Sequence, residues 1–483
     1  MIQVVPKQKV EYGDFQTPLE LAERICHKLR KLGVLPDIII EPTCGIGNFI
    51  QAAALSFQSA RKIIGIEINQ DYPQEKRNQF LQDERIQIQQ GDFFEFDWSS
   101  LIDKFDERIL VLGNFPWVTN SQQGLIGGKN LPKKNNFQNH NGLDAITGKS
   151  NFDISEWMLI HSIQWLQNRD AYLAMLCKTS VSRKLLNYIH SNNLNLAYCA
   201  AYEIDAKKYF DATVDACLLF CKFDSEAQNY FCDVFSNLDT DTYYRIGYRN
   251  NIPIRNTASF DNLKDLYNPR GAKWRSGIKH DCSSVMELRK DGDRLMNGLG
   301  EVVDIEETCL FPLAKGSDVA QDRLEIINRY VLVTQKAIGD STDYLQTFAP
   351  RTWDYLINHS EYLDGRKSKI YKQNPRFSMF GIGSYTFAPW KIAICGLYKK
   401  LDFRFVGKTH GKPTVFDDTV YFLSFEDEQT AYQTFKLLTS PIAIDFYCSL
   451  IFWDEKRPIK SSILNSLDLI ALAERIATKE VLD

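Results

Sequence analysis

The 483-residue chain lacks several things, and each lack narrows what it can be. Its 11 cysteines are scattered with no CxxC pair among them, so neither a zinc site nor a disulfide framework is expected. It has no net positive charge. The 57 Lys and Arg against 61 Asp and Glu leave −4, which rules out attraction to nucleic acid by overall charge, although a local patch can hide in such a total. No apolar run approaches the roughly 20 residues that a membrane helix needs. The opening stretch MIQVVPKQKVEYGDFQTP lacks a charged region followed by an apolar core, so no signal peptide is expected. These absences point to a reduced, cytoplasmic protein with no membrane role and no bound metal. Hydrophobic residues make up 44%, ordinary for a globular chain with a sizeable core.

Alternation fills the first half. DIIIEP (37–42), KIIGIEI (62–68), IQIQQGD (86–92), RILVLGN (108–114) and AYLAMLC (171–177) are apolar runs bounded by turn residues. PLELAERICHKLRKLG (18–33) and ISEWMLIHSIQWLQ (154–167) repeat apolar positions at helical spacing. Strands alternating with helices predict an α/β domain with a parallel, doubly wound, Rossmann-like sheet. Residues 196–204 and 214–223 are two further apolar runs, close enough to form a terminal hairpin-like pair. Residues 121–152 break the rhythm with Gly, Asn and Lys, as a functional loop does. The loop runs into Asp153-Ile154-Ser155-Glu156, which reads as a capping box. The expected division is residues 1–238 for this domain and 239–483 for a second, mixed α+β, aromatic-rich one.

IIIEPTCGIGNFI (38–50) is a strand, an acidic residue, and Gly45-x-Gly47 opening a helix. Glycine suits a backbone that turns sharply and approaches a ligand closely. A dinucleotide loop would place a third glycine at position 50 to admit a pyrophosphate; here Ile50 stands there, which points to a nucleoside without phosphates. Glu67, followed by Ile68, closes the next strand and is placed to accept from two ribose hydroxyls. In GDFF (91–94), Asp92 can accept from an adenine amine while Phe93 packs on the ring; an Asp capping a turn is the plainer alternative.

Gly loop, ribose acid, GDFF and then the Asn114-Phe115-Pro116-Trp117 turn occur in an order that resembles the γ-order amino-group DNA methyltransferases of type II restriction-modification systems. The resemblance covers roughly residues 10 to 225. It implies a class I S-adenosylmethionine-dependent methyltransferase domain. Phe15, Gln16, Thr17 and Pro18 match the motif that contacts the methionine end of the cofactor. The stretch with Glu41, Pro42, Thr43, Gly45, Gly47, Asn48 and Phe49 matches the cofactor loop, and residues 114–117 match the catalytic (D/N/S)PP(Y/F/W) turn. Phe210, in YFDATVDACLLF (209–220), matches the aromatic that lies against the target base. Residues 239–483 are then expected to recognise the DNA target.

That likeness gives the turn a chemistry. The lone pair of a base amine is delocalised into the ring. Two acceptors, Asn114 Oδ1 and the backbone carbonyl of Phe115, would hold the amine so that the lone pair is available, while Trp117 stacks on a base flipped from the duplex. The family has proline where this chain has Phe115; Pro116 still biases the residue before it toward extended geometry. Asn114 favours adenine N6 slightly over cytosine N4. The implied partners are double-stranded DNA and, functionally, a cognate restriction endonuclease. A basic stretch at 365–412, acidic only at Asp402, supplies candidate DNA contacts at Lys367, Lys369, Lys372, Arg376, Lys399 and Lys400. Methylation of a protein glutamine or of RNA uses a similar turn, in shorter chains. A fused nuclease, with Asp445 and Asp454-Glu455-Lys456 in the outline of a metal-dependent site, is a further alternative.

Overall fold

A computed structural model describes residues 16–69, 82–117, 153–292 and 294–482; Phe15 and the 121–152 loop lie outside them. The chain divides into two compact units, 1–258 and 259–483.

In the first unit, α1 (Leu19–Lys31) buries Leu21, Ala22, Ile25, Cys26 and Leu29, the stripe its sequence spacing predicts. It is followed by β1 (Ile38–Glu41), α2 (Asn48–Ser56), β2 (Lys62–Glu67), β3 (Ile86–Gln90), α3 (Trp98–Ile102) and β4 (Ile109–Asn114). Then come α4 (Ile154–Trp165), β5 (Ala171–Lys178), α5 (Thr179–Ser191), β6 (Tyr198–Ile204), α6 (Ala206–Phe210) and β7 (Ala216–Phe223). The order across the sheet is β10-β9-β8-β6-β7-β5-β4-β1-β2-β3. Strands β3, β2, β1, β4 and β5 are parallel, and β7 runs antiparallel between β5 and β6. Helices cover both faces, so β1 and β5 read as nearly unbroken apolar runs and are buried almost throughout. This is the Rossmann-like sheet that the alternation of strands and helices predicts.

Two expectations are corrected. The strands β6 and β7 do pair antiparallel, but they are not terminal. β8 (Cys232–Phe235) adds to β6, and β9 (Tyr243–Arg249) and β10 (Ile252–Ile254) continue outward. The first unit therefore ends at Ala258, 20 residues beyond the expected 238. The second correction concerns α4. Asp153 caps it, accepting from Ser155 N at 3.2 Å and Ser155 Oγ at 2.6 Å, whereas the Glu156 carboxylate meets Lys184 Nζ at 2.6 Å.

The second unit is mixed α+β. Among the described residues it holds a five-stranded sheet with β12 (Glu287–Asp291), β13 (Arg294–Asn297), β14 (Leu310–Ala314), β15 (Arg329–Leu332) and β20 (Val415–Phe416). A four-stranded sheet joins β11 (Arg275–Ser276), β16 (Trp390–Cys395), β17 (Arg404–Val406) and β21 (Val420–Phe425). The pair β18 (Lys408–Thr409) and β19 (Lys412–Pro413) stands apart. Helices α7 (Glu428–Leu438), α8 (Pro441–Leu450) and α9 (Leu469–Leu482) close the chain. No helix among the described residues is long and apolar enough to cross a membrane.

Candidate active site

The order of the sheet reverses between β1 and β4, and in open α/β sheets the crevice at the carboxyl ends of such strands is where ligands bind. Glu41 and Asn114 end those two strands.

After β1 the chain turns through Gly45 (φ 52°) and Gly47 (φ 82°), both in the left-handed region. A Cβ at position 45 would lie 2.4 Å from Gln16 Oε1, so only glycine fits there without displacing that side chain. The loop is pinned from three directions. Ile46 N donates to Gln16 Oε1 at 3.0 Å, Asn48 Nδ2 donates to the Thr17 carbonyl at 2.7 Å, and Gly45 N donates to Glu67 Oε2 at 2.7 Å. The other oxygen of Glu67 accepts from Asn69 N at 2.9 Å. Glu67 therefore ties the Gly loop to the end of β2.

Glu41 is buried, and its Oε2 has no hydrogen-bond partner among the described residues. Burial, reinforced by the charge of Glu67, pushes its carboxyl well above the usual range, against the pull of the Ile50 N–H. Thr43 Oγ1 donates to the Asn114 carbonyl at 3.3 Å, linking the Gly loop to the end of β4. Pro42 is buried, while Pro18 and Ile68 are half-buried around the loop.

Not every expected contact faces a crevice. Phe49 is 2% exposed and belongs to the core beneath the loop. Phe93, 6% exposed, packs against Phe94, Trp98, Phe115, Trp157 and Trp165, and its carbonyl accepts from Trp98 Nε1. Both rings are core, because a phenylalanine after a buried strand finds more apolar surface inside than a ligand offers. Asp92 caps the turn with one oxygen: its Oδ1 accepts from Phe94 N at 2.9 Å.

The turn after β4 is different. Phe115 is 1% exposed, its ring edge-on to Phe93 at 5.3 Å. Pro116 is half-buried. Trp117 lies on the other core cluster, with its ring 5.0 Å from that of Phe210 at 63°. So the turn splits its aromatics: Phe115 is folded under, while Trp117 and Phe210, each 8% exposed, stand together. Two polar atoms of this turn, Asn114 Oδ1 and Trp117 Nε1, are buried without a partner among the described residues. A buried acceptor left unpaired costs roughly 1–3 kcal/mol, a cost that a donor entering the site would remove.

No family model matches the chain. The type II methyltransferase M.NspV of Nostoc sp. (strain ATCC 29411 / PCC 7524) is 65% identical over 479 residues, covering 99% of this chain and all of that one. The chain belongs to the type II methyltransferases. At 12% identity, 94% of the methyltransferase also aligns (TM-score 0.52) with the structure of the type IIL restriction-modification enzyme MmeI in complex with DNA. The methyltransferase spans 65% of that chain, and the likeness concerns the fold. A class I S-adenosylmethionine-dependent methyltransferase structure from Listeria monocytogenes aligns over 50% of this chain and 69% of its own, with 14% identity and a TM-score of 0.35.

In the second unit of the methyltransferase, the expected basic patch separates into two kinds of cation. Lys367, Lys369, Lys372, Lys399 and Lys400 are exposed, the first three on or beside the short helix Lys369–Lys372 and the last two in the turn after β16. Arg376 is exposed but bonded to Asp364 Oδ2 at 2.7 Å, an acid one residue outside the basic stretch 365–412. The rest of the run is partly structural. Buried Arg366 donates to the carbonyls of Leu363, His280 and Ser378, buried Lys391 to that of Ala388, and Lys412 to those of Glu307 and Leu310. Asp445 lies on α8 and Glu455 pairs with Lys460 at 2.5 Å. Among the described residues no three His, Cys, Asp or Glu side chains are grouped to hold a metal ion.

Lys178 is a residue that sequence reasoning missed. It closes β5, and its Nζ lies 2.6 Å from Asp153 Oδ2 and 3.2 Å from the Trp117 carbonyl. Its position at the end of an inner strand, like that of Asn114, was the available signal.

Proposed function

We propose that this methyltransferase transfers a methyl group from S-adenosylmethionine to the exocyclic amine of a base within a specific double-stranded DNA sequence, adenine N6 ahead of cytosine N4. It would thereby protect DNA from a cognate restriction endonuclease in the same cytoplasm. The observation that carries the reading is Asn114 Oδ1, an acceptor buried without a donor among the described residues at the carboxyl end of β4.

The cradle fits the cofactor. Gly45 and Gly47 let backbone approach a ligand, and two buried carboxyl groups, Glu41 and Glu67, suit a molecule bearing hydroxyls and positive charge. Gln16, Thr17, Gly45 and Glu67 would hold it, with Asp92 and Ile68 at the nucleoside end. When bound, S-adenosylmethionine supplies an electrophilic methyl carried on a sulfonium. The protein's part is positional. Asn114 Oδ1 and the Phe115 carbonyl accept the two amine hydrogens, which frees the nitrogen lone pair to point along the line of transfer. Trp117 and Phe210, whose rings meet, offer adjoining aromatic surfaces against which the flipped base lies. No covalent enzyme intermediate is needed; the gain comes from orientation. The second unit serves target recognition, with Lys367, Lys369, Lys372, Lys399 and Lys400 on phosphates and Arg376 on phosphate or a base edge. The DNA seen with MmeI supports a DNA substrate for a chain of this fold.

Asn114→Ala tests the reading. It removes one preorganised acceptor and should lower turnover on the order of 100-fold or more, with cofactor affinity near wild type. Near-normal turnover would overturn the assignment. Nucleoside analysis of DNA from cells expressing the chain decides between N6-methyladenine and N4-methylcytosine.

A further inference from the structure

We infer that Lys178 is a positioning residue for methyl transfer, one that fixes the Trp117 ring by holding the backbone carbonyl of the same residue. The inference rests on the reading of residues 114–117 as the catalytic turn.

The turn leaves β4 at Asn114, so the Trp117 carbonyl has no place in the sheet ladder. Its bond comes from Lys178 Nζ at 3.2 Å. That ammonium is itself held. Asp153 Oδ2 lies 2.6 Å away, and the two side chains are only 17% and 8% exposed. Asp153 cannot swing, because its other oxygen accepts from Ser155 N and Ser155 Oγ at the start of α4. Lys178 is anchored from behind as the last residue of β5, paired across the sheet with Ala216 of β7. A rigid strand end and a helix cap thus converge on one carbonyl. On its far side, the Trp117 ring meets Phe210.

Stacking on a base needs the ring's plane fixed as well as its place. A tryptophan in a turn has two side-chain torsions and a mobile peptide beneath them. Phe210 restrains the ring, and Lys178 restrains the peptide. An exposed ion pair is worth little, but this one is largely buried, so its geometry is strongly held. Among the described residues no hydrogen bond runs from Lys178 to the Gly loop, whose contacts run to Gln16, Thr17, Glu67 and, through Thr43, the Asn114 carbonyl.

Lys178→Met alone would leave Asp153 buried and unpaired, which can unfold the region. The informative variant is Lys178→Met with Asp153→Asn. Asparagine is an equally good helix cap and carries no charge to strand. In this pair, kcat should fall roughly 10- to 100-fold, the cost of a misplaced stacking ring. KM for S-adenosylmethionine should stay within about 2-fold, because the uniform binding of the cofactor is untouched. Lys178→Arg, which keeps a donor, should recover part of kcat. The triple variant that also carries Trp117→Ala should then be no slower than Trp117→Ala alone, since both changes act through one ring. If the losses simply add, or if kcat does not change, Lys178 does not act through Trp117 and the inference falls. Should Trp117→Ala by itself leave turnover intact, the catalytic-turn reading fails first, a result distinct from failure of the Lys178 step alone.

Discussion

Removing the Glu67 carboxylate would disturb two things that the sequence suggested were one. Its Oε2 accepts from Gly45 N at 2.7 Å and its Oε1 from Asn69 N at 2.9 Å, so the side chain braces the Gly loop in addition to the ligand contact proposed for it. Hydrogen bonds to a charged group contribute about 1.5–3 kcal/mol. Loss of the ligand contact alone should raise the Kd for S-adenosylmethionine roughly 10- to 150-fold in Glu67→Ala. The lost brace adds to this, because Gly45 N then needs a new partner. An opposing effect comes from Glu41, whose carboxyl is raised partly by the charge of Glu67. With Glu67 gone, Glu41 ionises more readily and attracts the positive cofactor. Calorimetry with S-adenosylmethionine and with S-adenosylhomocysteine, whose sulfur is neutral, separates these contributions. Lost hydroxyl and loop contacts weaken both ligands, whereas the Glu41 effect softens the loss for the charged one alone. Glu67→Gln keeps one acceptor but sets an NH2 against the second backbone N–H, so it should recover less than half of the lost affinity. Affinities within about 2-fold of wild type in Glu67→Ala would refute the ribose assignment and the brace together.

The sheet was legible because buried parallel strands have to be apolar on both faces. IIIE, KIIGIE and ILVLGN cannot be hidden in any other way, and their carboxyl ends mark the crevice. The edge of the first unit was not legible. β9, YYRIGYR, is half-exposed and rich in polar atoms, so only its pairing with β8 identifies it as a continuation of the sheet. Aromatic residues were ambiguous for a similar reason. Phe115 and Trp117 are two positions apart in one turn, yet they enter different core clusters, and composition has no means of telling them apart. Lys178 and the Trp117 carbonyl are separated by 61 residues, and no local pattern encodes a bond to a backbone oxygen. The charge count at 365–412 failed in the opposite direction. Arg366 and Lys391 have the sequence of a patch and the burial of a core, since a strand such as β16 can carry a lysine inward when a carbonyl waits for it.

Two further predictions divide that basic stretch into its exposed and buried parts. Lys369→Ala and Lys399→Ala, at exposed positions, should each flatten the slope of log affinity against log salt by about 1 and weaken all DNA sequences alike. Filter binding over a salt series checks this, and unchanged slopes for both would put the DNA surface elsewhere. Lys391→Met should behave in the opposite way. Burial pulls the Lys391 ammonium down from 10.5 to about 7, against a smaller pull upward from Glu426. The unfolded chain therefore binds more protons than the folded one between those values. Stability should rise with pH across that window and be most penalised below its lower end. Methionine fills similar space without a proton to lose, at the cost of the bond to the Ala388 carbonyl. Its gain in Tm should be a few degrees, roughly 2–8 °C, near pH 6 and clearly smaller near pH 10. DNA affinity should not change, because a buried side chain releases no counterion. A gain equal at both pH values would refute the charged-lysine argument, and a loss of DNA affinity would return Lys391 to the binding surface.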